Sequence, residues 1–264
     1  MVTVNYILQK LASELFIRYD SSERKYIEDK LKNFKSTLKD YFGKEVIEVL
    51  LFGSFKRDTI LPRKFDENSD IDILVIFDQS KTEFTPETYR NQLRRFAGLK
   101  YFNSRVVKDH PSIVLEMQNI KFDLVPCRKY TGYFSKSLQI PDKSGSWMDT
   151  NPIEFNDQLT KANNKYNSIV KPIIRLLKCW NAYEDYPYLP FELEQVITNM
   201  SFSGDNYQTG FIYAVNNLPS TYLADYQIRK VNSLRNNIAW VEEYLARANQ
   251  DKAREVIHRI LGLM

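Results

Sequence analysis

Residues Leu50–Asp78 read LLFGSFKRDTILPRKFDENSDIDILVIFD, two apolar runs separated by a polar loop. The first run, Val46 to Phe52, ends in Gly53-Ser54; the second, Ile71 to Phe77, opens with Asp70 and Asp72 one residue apart. Both runs are dense in Val, Ile and Leu, which predicts buried central strands. Residues two apart on a strand share a face, so Asp70 and Asp72 stand side by side. Two carboxylates that close repel unless a cation neutralises them. A hard, oxygen-binding divalent ion, Mg²⁺ with Mn²⁺ as a substitute, fits such a pair.

A third carboxylate completes the pattern. Asp123 in IKFDLVP is embedded in a later apolar strand, where a lone buried aspartate is costly unless it is paired or binds metal. Asp70, Asp72 and Asp123 together suit a two-ion clamp, in which one ion activates an attacking hydroxyl and the other holds a triphosphate and its leaving group. Gly53-Ser54 fits the same chemistry. Glycine lets the backbone approach a phosphate, while backbone N–H groups and the Ser54 hydroxyl donate to its oxygens. A helix beginning near Phe55 would add its N-terminal dipole. Lys56 and Arg57 are placed to assist from the same loop.

Working outward, apolar residues at helical spacing predict helices over 5–17 and 22–43, the second capped by Ser21/Ser22 with Glu23 and closed by Gly43. A helix follows Thr85-Pro86-Glu87 as far as about Phe96. Ser104 to Val107, Ser112 to Met117 and Lys121 to Val125 read as strands, with Pro126 ending the last because it cannot donate to a ladder. Pro141 to Asn151 reads as a loop and as the lobe boundary. Beyond it helices are expected over Pro152 to Asn163, Asn167 to Ala182, Pro190 to Asn199, Tyr207 to Asn216, and from Asp225 to the end with short breaks. The expectation is an α+β, bilobed protein: a mixed-sheet catalytic lobe with N-terminal helices over residues 1–145, and an all-helical lobe over residues 146–264. A cleft between lobes is where a ligand is expected.

Composition sets outer bounds. The chain has 264 residues, 43% of them hydrophobic and 27% charged, which is enough for a proper core. Two distant cysteines and two histidines build neither a disulfide framework nor a zinc site, pointing to a reducing compartment. The N-terminal stretch lacks the pattern of a secretory signal and no window approaches a membrane span, so a cytoplasmic location without membrane association is expected. A net charge of +4 favours anionic ligands but gives no strong duplex-binding face, so no nucleic-acid activator is expected.

Gly-Ser, an Asp-x-Asp 16 positions after Ser54 (70 − 54), and a strand aspartate 51 positions after Asp72 (123 − 72) together resemble the nucleotidyltransferase superfamily of DNA polymerase β. The stretch GSFKRDTILPRKFDENSDIDILVIF, the segment IVKPIIRLLKCWN, and the WMDTNP, LPFELEQVI and REVIHRILG segments are similar to the cGAS/DncV-like nucleotidyltransferases of bacterial antiphage systems (CD-NTases), over nearly the whole chain. The resemblance implies synthesis of cyclic di- or oligonucleotide second messengers from NTPs, ATP among them, in antiphage defence (CBASS). It further implies a regulatory or effector protein as partner, a monomeric enzyme, and contact of Lys178 with the donor triphosphate. Lys171 and Arg175 share a helical face with Lys178 and suggest a basic strip turned toward the cleft. Trp180 suits a core role and Tyr183 could stack on a base. The family pattern departs here at Asp58-Thr59, where Gly-Thr is common, and at Pro190, where serine is common. Two other readings are a transferase that nucleotidylates an RNA, protein or small-molecule acceptor, and an inactive nucleotide- or RNA-binding module. The intact aspartate set disfavours the last.

Overall fold

The computed structural model describes residues 2–80, 82–109, 111–131 and 136–263. The described chain gathers into two compact units, one comprising Met1–Ile17, Asp58–Glu67 and Asp157–Met264, the other Arg18–Arg57 and Asn68–Asn156. A single break between residues 145 and 146 does not describe this division. The chain crosses between units at 17/18, 57/58, 67/68 and 156/157.

The sheet unit is built on strands β1 (Val46–Leu51), β2 (Ile71–Phe77), β3 (Arg105–Asp109), β4 (Ser112–Met117), β5 (Ile120–Thr131), β6 (Lys136–Pro141) and β7 (Trp147–Thr150). Spatial order is β1-β2-β5-β4-β3, with β6 pairing the far half of β5 and β7 pairing β6. Among the described residues only β2 and β5 run parallel; the other pairs are antiparallel, making the sheet mixed. Helix α2 (Ser22–Phe42) starts where the Ser21 hydroxyl accepts from the Arg24 N–H at 3.1 Å, and ends at Gly43, whose φ of 55° suits a residue without Cβ. Helix α4 (Pro86–Lys100) runs one turn beyond the expected Phe96. Rings from these two helices meet rings of the sheet: from α2, Phe34 lies 5.0 Å from Phe122 and Phe42 5.4 Å from Phe77, and from α4, Tyr89 lies 4.5 Å from Phe77, between centroids. This fills one face of the sheet with aromatic burial, the largest apolar payload a side chain can bring.

Two sequence expectations change here. Strand β5 does not stop at Pro126. Its ladder with β4 ends at the Ile113–Leu124 pair and that with β6 starts at Arg128–Gln139, so the proline lies in the gap between the two, while register with β2 continues through Val75–Pro126. The segment 141–151 is a hairpin, not simply a loop. Asp142 Oδ1 accepts from the Ser144 and Ser146 N–H groups, both at 2.8 Å, and the turn returns Trp147–Thr150 to β6. The composition of the turn was legible, but the four-residue strand after it was too short to show a period.

The helical unit contains α1 (Val4–Glu14), α6 (Val170–Tyr183), α7 (Pro190–Thr198), α8 (Tyr207–Asn216), α9 (Asp225–Ala246) and α10 (Gln250–Ile260), while α5 (Pro152–Lys165) carries the last crossing. Met264 lies outside the described residues. The apolar stripe of α1, Val4, Leu8, Leu11 and Ala12, is buried in one cluster with Ile173, Leu177, Trp180, Phe211 and Ile257. Each fully buried leucine there stabilises the unit by about 1.5 to 3 kcal/mol. That burial assigns residues 1–17 to the helices rather than to the sheet.

Candidate active site

Strand β1 delivers the chain to Gly53, where the Phe52 N–H donates to the Asp72 carbonyl at 3.1 Å and a four-residue helix, α3 (Gly53–Lys56), begins at once. The glycine is required twice over. Its φ is +70°, and a Cβ built on it would fall 1.6 Å from Asp72 Oδ2. The Asp72 carboxylate therefore rests directly against the first residue of the Gly-Ser turn. Ser54 is half-buried beside it and Lys56 is exposed.

Asp72 and Asp123 are register partners on the parallel strands β2 and β5, so their side chains leave the same face of the sheet on strands about 4.8 Å apart. Both are half-buried, and Asp123 Oδ1 is enclosed by protein. The same face continues through Leu74, Ile76, Val125 and Cys127, a buried apolar cluster that gives the carboxylates a rigid floor. Asp70 lies just before β2, with its Oδ2 3.8 Å from the Lys121 ammonium. Gly53, Ser54, Asp70, Asp72 and Asp123 thus all lie in the sheet unit, on or just beside the adjoining strands β1, β2 and β5.

The donor set is entirely carboxylate oxygen, the chemistry Mg²⁺ and Mn²⁺ prefer, and an ammonium is already drawn to Asp70. The residues fit a divalent cation in that sense. Among the described residues, no group of three His, Cys, Asp or Glu side chains is closed around one point as a finished cage. Asp72 and Asp123 form the matched pair, and Asp70 is engaged by Lys121.

Lys178 belongs to the other unit and has a different setting from the one the resemblance implied. Its ammonium, 7% exposed, lies 3.0 Å from Oε1 of Glu194, which is 1% exposed. Thr59 donates to the same oxygen at 2.8 Å. The basic strip is likewise consumed inside its unit. Lys171 Nζ lies 3.3 Å from Asp58 Oδ2, and Arg175 donates to the carbonyls of Asp58 at 2.8 Å and Ala12 at 3.3 Å, with its guanidinium over the Phe16 ring. Trp180 is buried in the core, and Tyr183 is exposed. Sequence reasoning missed Glu194 and Lys121. Glu194 had a signal, since it falls on the same buried stripe of α7 as Leu193, Ile197 and Thr198. Lys121 had one too, standing two residues before Asp123 on one strand face.

The cysteines take no part in chemistry at this site. Burial pushes the thiols of Cys127 and Cys179 up to about 12, leaving no thiolate near neutral pH.

Residues 1–163 match the Second Messenger Oligonucleotide or Dinucleotide Synthetase (SMODS) domain family. A probable cyclic nucleotide synthase from Bacillus cereus (strain VD146) is 25% identical over 214 residues, 67% of this chain; the match spans 62% of that relative's length. Among solved structures, the fold is similar to the CD-NTase CdnG of Bradyrhizobium diazoefficiens in complex with GTP, with a TM-score of 0.68 and 14% identity over 98% of this chain and 97% of that one. It is also similar to the CdnE cyclic dinucleotide synthase of Elizabethkingia meningoseptica with GTP and Apcpp, with a TM-score of 0.59 and 18% identity over 72% and 75% of the two chains. At these identities the structural likeness is one of fold. With the glycine, the paired aspartates and the mixed sheet all inside the matched residues, the chain belongs to the SMODS family and has the CD-NTase fold of the polymerase-β nucleotidyltransferase superfamily.

Proposed function

We propose that the protein is a Mg²⁺-dependent nucleotidyltransferase that joins nucleoside triphosphates, ATP among them, into cyclic di- or oligonucleotide second messengers. The observation that carries this reading is the Asp72–Asp123 register pair lying against Gly53. It places two anionic oxygen donors beside a turn whose backbone a phosphate can approach. A bound divalent cation supplies charge neutralisation for the triphosphate and eases deprotonation of the attacking hydroxyl. In this reading Asp70, Asp72 and Asp123 hold the cation. Gly53 and the Ser54 hydroxyl seat the phosphates, and exposed Lys56 adds positive charge at the same turn. The apolar floor of Leu74, Ile76, Val125 and Cys127 keeps the carboxylates fixed relative to one another. A triphosphate contact for Lys178 requires its ammonium to leave Glu194, and Lys56 is the readier donor. GTP in CdnG, and GTP with Apcpp in CdnE, support nucleoside triphosphates as the substrate class.

The wider setting we propose is that of the family resemblance: a monomeric cytoplasmic enzyme whose product reaches an effector protein in bacterial antiphage defence. No helix among the described residues is long and apolar enough to cross a membrane. The decisive experiment incubates the purified protein with four NTPs and Mg²⁺ or Mn²⁺, treats the mixture with phosphatase, and analyses it by mass spectrometry. A phosphatase-resistant cyclic product is expected and identifies the bases. Recovery of nucleosides alone, with turnover appearing only on addition of an RNA, protein or small-molecule acceptor, overturns cyclisation in favour of acceptor nucleotidylation.

A further inference from the structure

The charged residues on the acid face of the sheet follow a pattern that the reaction alone does not demand. Lys121 precedes Asp123 by two on β5, so both leave the same face. Its antiparallel partner on β4 is Glu116, whose own partner on β3 is Arg105, and Arg105 Nη1 lies 3.4 Å from Glu116 Oε2. Across the strands the row therefore runs Asp70, Lys121, Glu116, Arg105, alternating in sign. The adjacent row runs Asp72, Asp123, Val114, Val107, with two carboxylates and no basic residue. Lys121 is the cation nearest in sequence and register to the carboxylate pair. It is 19% exposed and sits 3.8 Å from Asp70 Oδ2, well outside the 2.7–2.9 Å of a tight charge-assisted hydrogen bond.

We propose that Lys121 is a resident counter-cation of this site: its ammonium neutralises Asp70 while no divalent ion is bound and yields that carboxylate when one arrives, so that it sets the protein's metal affinity. The inference rests on the metal-dependent reading above. Three carboxylates within one strand-pair's reach repel one another without a positive charge among them. A lysine serves better than an arginine. It is a point charge on a flexible stem and can swing away, whereas a guanidinium grips a carboxylate with two parallel bonds.

The test is Mn²⁺ binding to the full chain, read by electron paramagnetic resonance of the free ion and by the rise in melting temperature on adding the metal, with no nucleotide present. Lys121→Met removes the competing charge at nearly constant length, and the expected result is at least about tenfold tighter binding, the scale of one unit charge at about 4 Å with solvent still in reach. Lys121→Arg is expected to bind more weakly than the parent. In an Asp70→Asn background the gain from Lys121→Met should vanish, which a purely structural lysine would not produce. Lys121→Gln provides a second neutral variant should the methionine impair folding. A parent that binds Mn²⁺ with Lys121→Met and Lys121→Gln at the same or weaker affinity overturns the role of Lys121 and leaves the metal reading standing. Absence of Mn²⁺ binding by the parent and every variant overturns both.

Discussion

Replacing Glu194 by alanine isolates one buried charge. In the native protein its Oε1 accepts from Lys178 Nζ at 3.0 Å and from Thr59 Oγ1 at 2.8 Å, with both charged side chains almost out of solvent. Thr198 bonds to the Glu194 backbone carbonyl, which alanine retains, so that contact is unaffected. The substitution leaves an ammonium buried without its carboxylate, a loss of about 3 to 5 kcal/mol in comparable cases, and strips Thr59 of its acceptor at a cost of about 1 kcal/mol. A net destabilisation of about 4 to 6 kcal/mol is a large part of the 5 to 15 kcal/mol typical of a whole domain. With a urea slope of about 3 kcal/mol/M, the unfolding midpoint should fall by roughly 1.3 to 2 M. Equilibrium unfolding followed by circular dichroism measures this directly. The double variant Lys178→Met with Glu194→Leu provides the internal control, because exchanging both charges for apolar groups of similar volume is often neutral or stabilising. A midpoint for Glu194→Ala within about 0.3 M of the parent, equivalent to less than 1 kcal/mol at that slope, refutes the burial argument. It would mean that water reaches the pair and that Lys178 is free to serve a triphosphate.

Other perturbations probe the sheet unit. Gly53→Ala places a methyl group in the space of Asp72 Oδ2 at φ +70°, so turnover should drop at least about 100-fold as the carboxylate is displaced. The accompanying stability loss should be about 1 to 2 kcal/mol from the left-handed backbone, with product formation and melting temperature read on the same samples. Asp70→Ala with Asp72→Ala should abolish turnover while leaving the melting temperature equal or slightly higher, since neighbouring like charges are removed; retained turnover refutes the cation-site assignment. Burial raises Cys127 and Cys179 from 9.0, and Tyr188 from 10.0, to about 12 in each case, so the folded chain keeps protons that the unfolded chain releases. Stability is then fully present below about pH 9 and declines as pH rises toward about 12. Melting temperatures between pH 8 and 11 should show the decline, with a shallower slope for Cys127→Ala combined with Cys179→Ala. The Lys121 variants, with their metal-affinity readout, complete the set.

The carboxylate site of the sheet unit was legible because its signals are local. A strand period fixes which residues share a face, and an apolar run with one embedded carboxylate stands out in any window. Gly53 before Ser54, and Asp123 inside IKFDLVP, needed no partner to be noticed. The setting of the basic residues in the helical unit depended on distant partners. The row Lys171, Arg175 and Lys178 reads from α6 alone as a basic strip turned toward the cleft, yet its neutralising groups are Asp58, the carbonyl of Ala12, and Glu194, up to 163 residues away. Helical spacing shows that α1 has an apolar face but not which element covers it. The same limit explains the division at 145/146: a composition shift marks where strands give way to helices, while the discontinuous units follow from packing. Pro126 shows the converse case. The rule that proline leaves a ladder is local, and it was overridden because β4 and β6 share one side of β5 with a gap between them.

The pairing of α1 with the far end of the chain constrains how the molecule can be made. The Val4 N–H donates to the side chain of Gln250, a span of 246 residues, and the buried stripe of α1 lies in one core cluster with Ile257 and Ile260 of α10. On a ribosome adding about 5 to 20 residues per second, residue 4 therefore waits roughly 12 to 50 seconds before its partner has been synthesised. Ile173 and Leu177 of α6 and Phe211 of α8 cover part of the α1 stripe earlier, and for the whole interval it lacks its cover from α10. Helix α1 thus depends on elements synthesised long after it, and α10 acts as the latch that completes its burial.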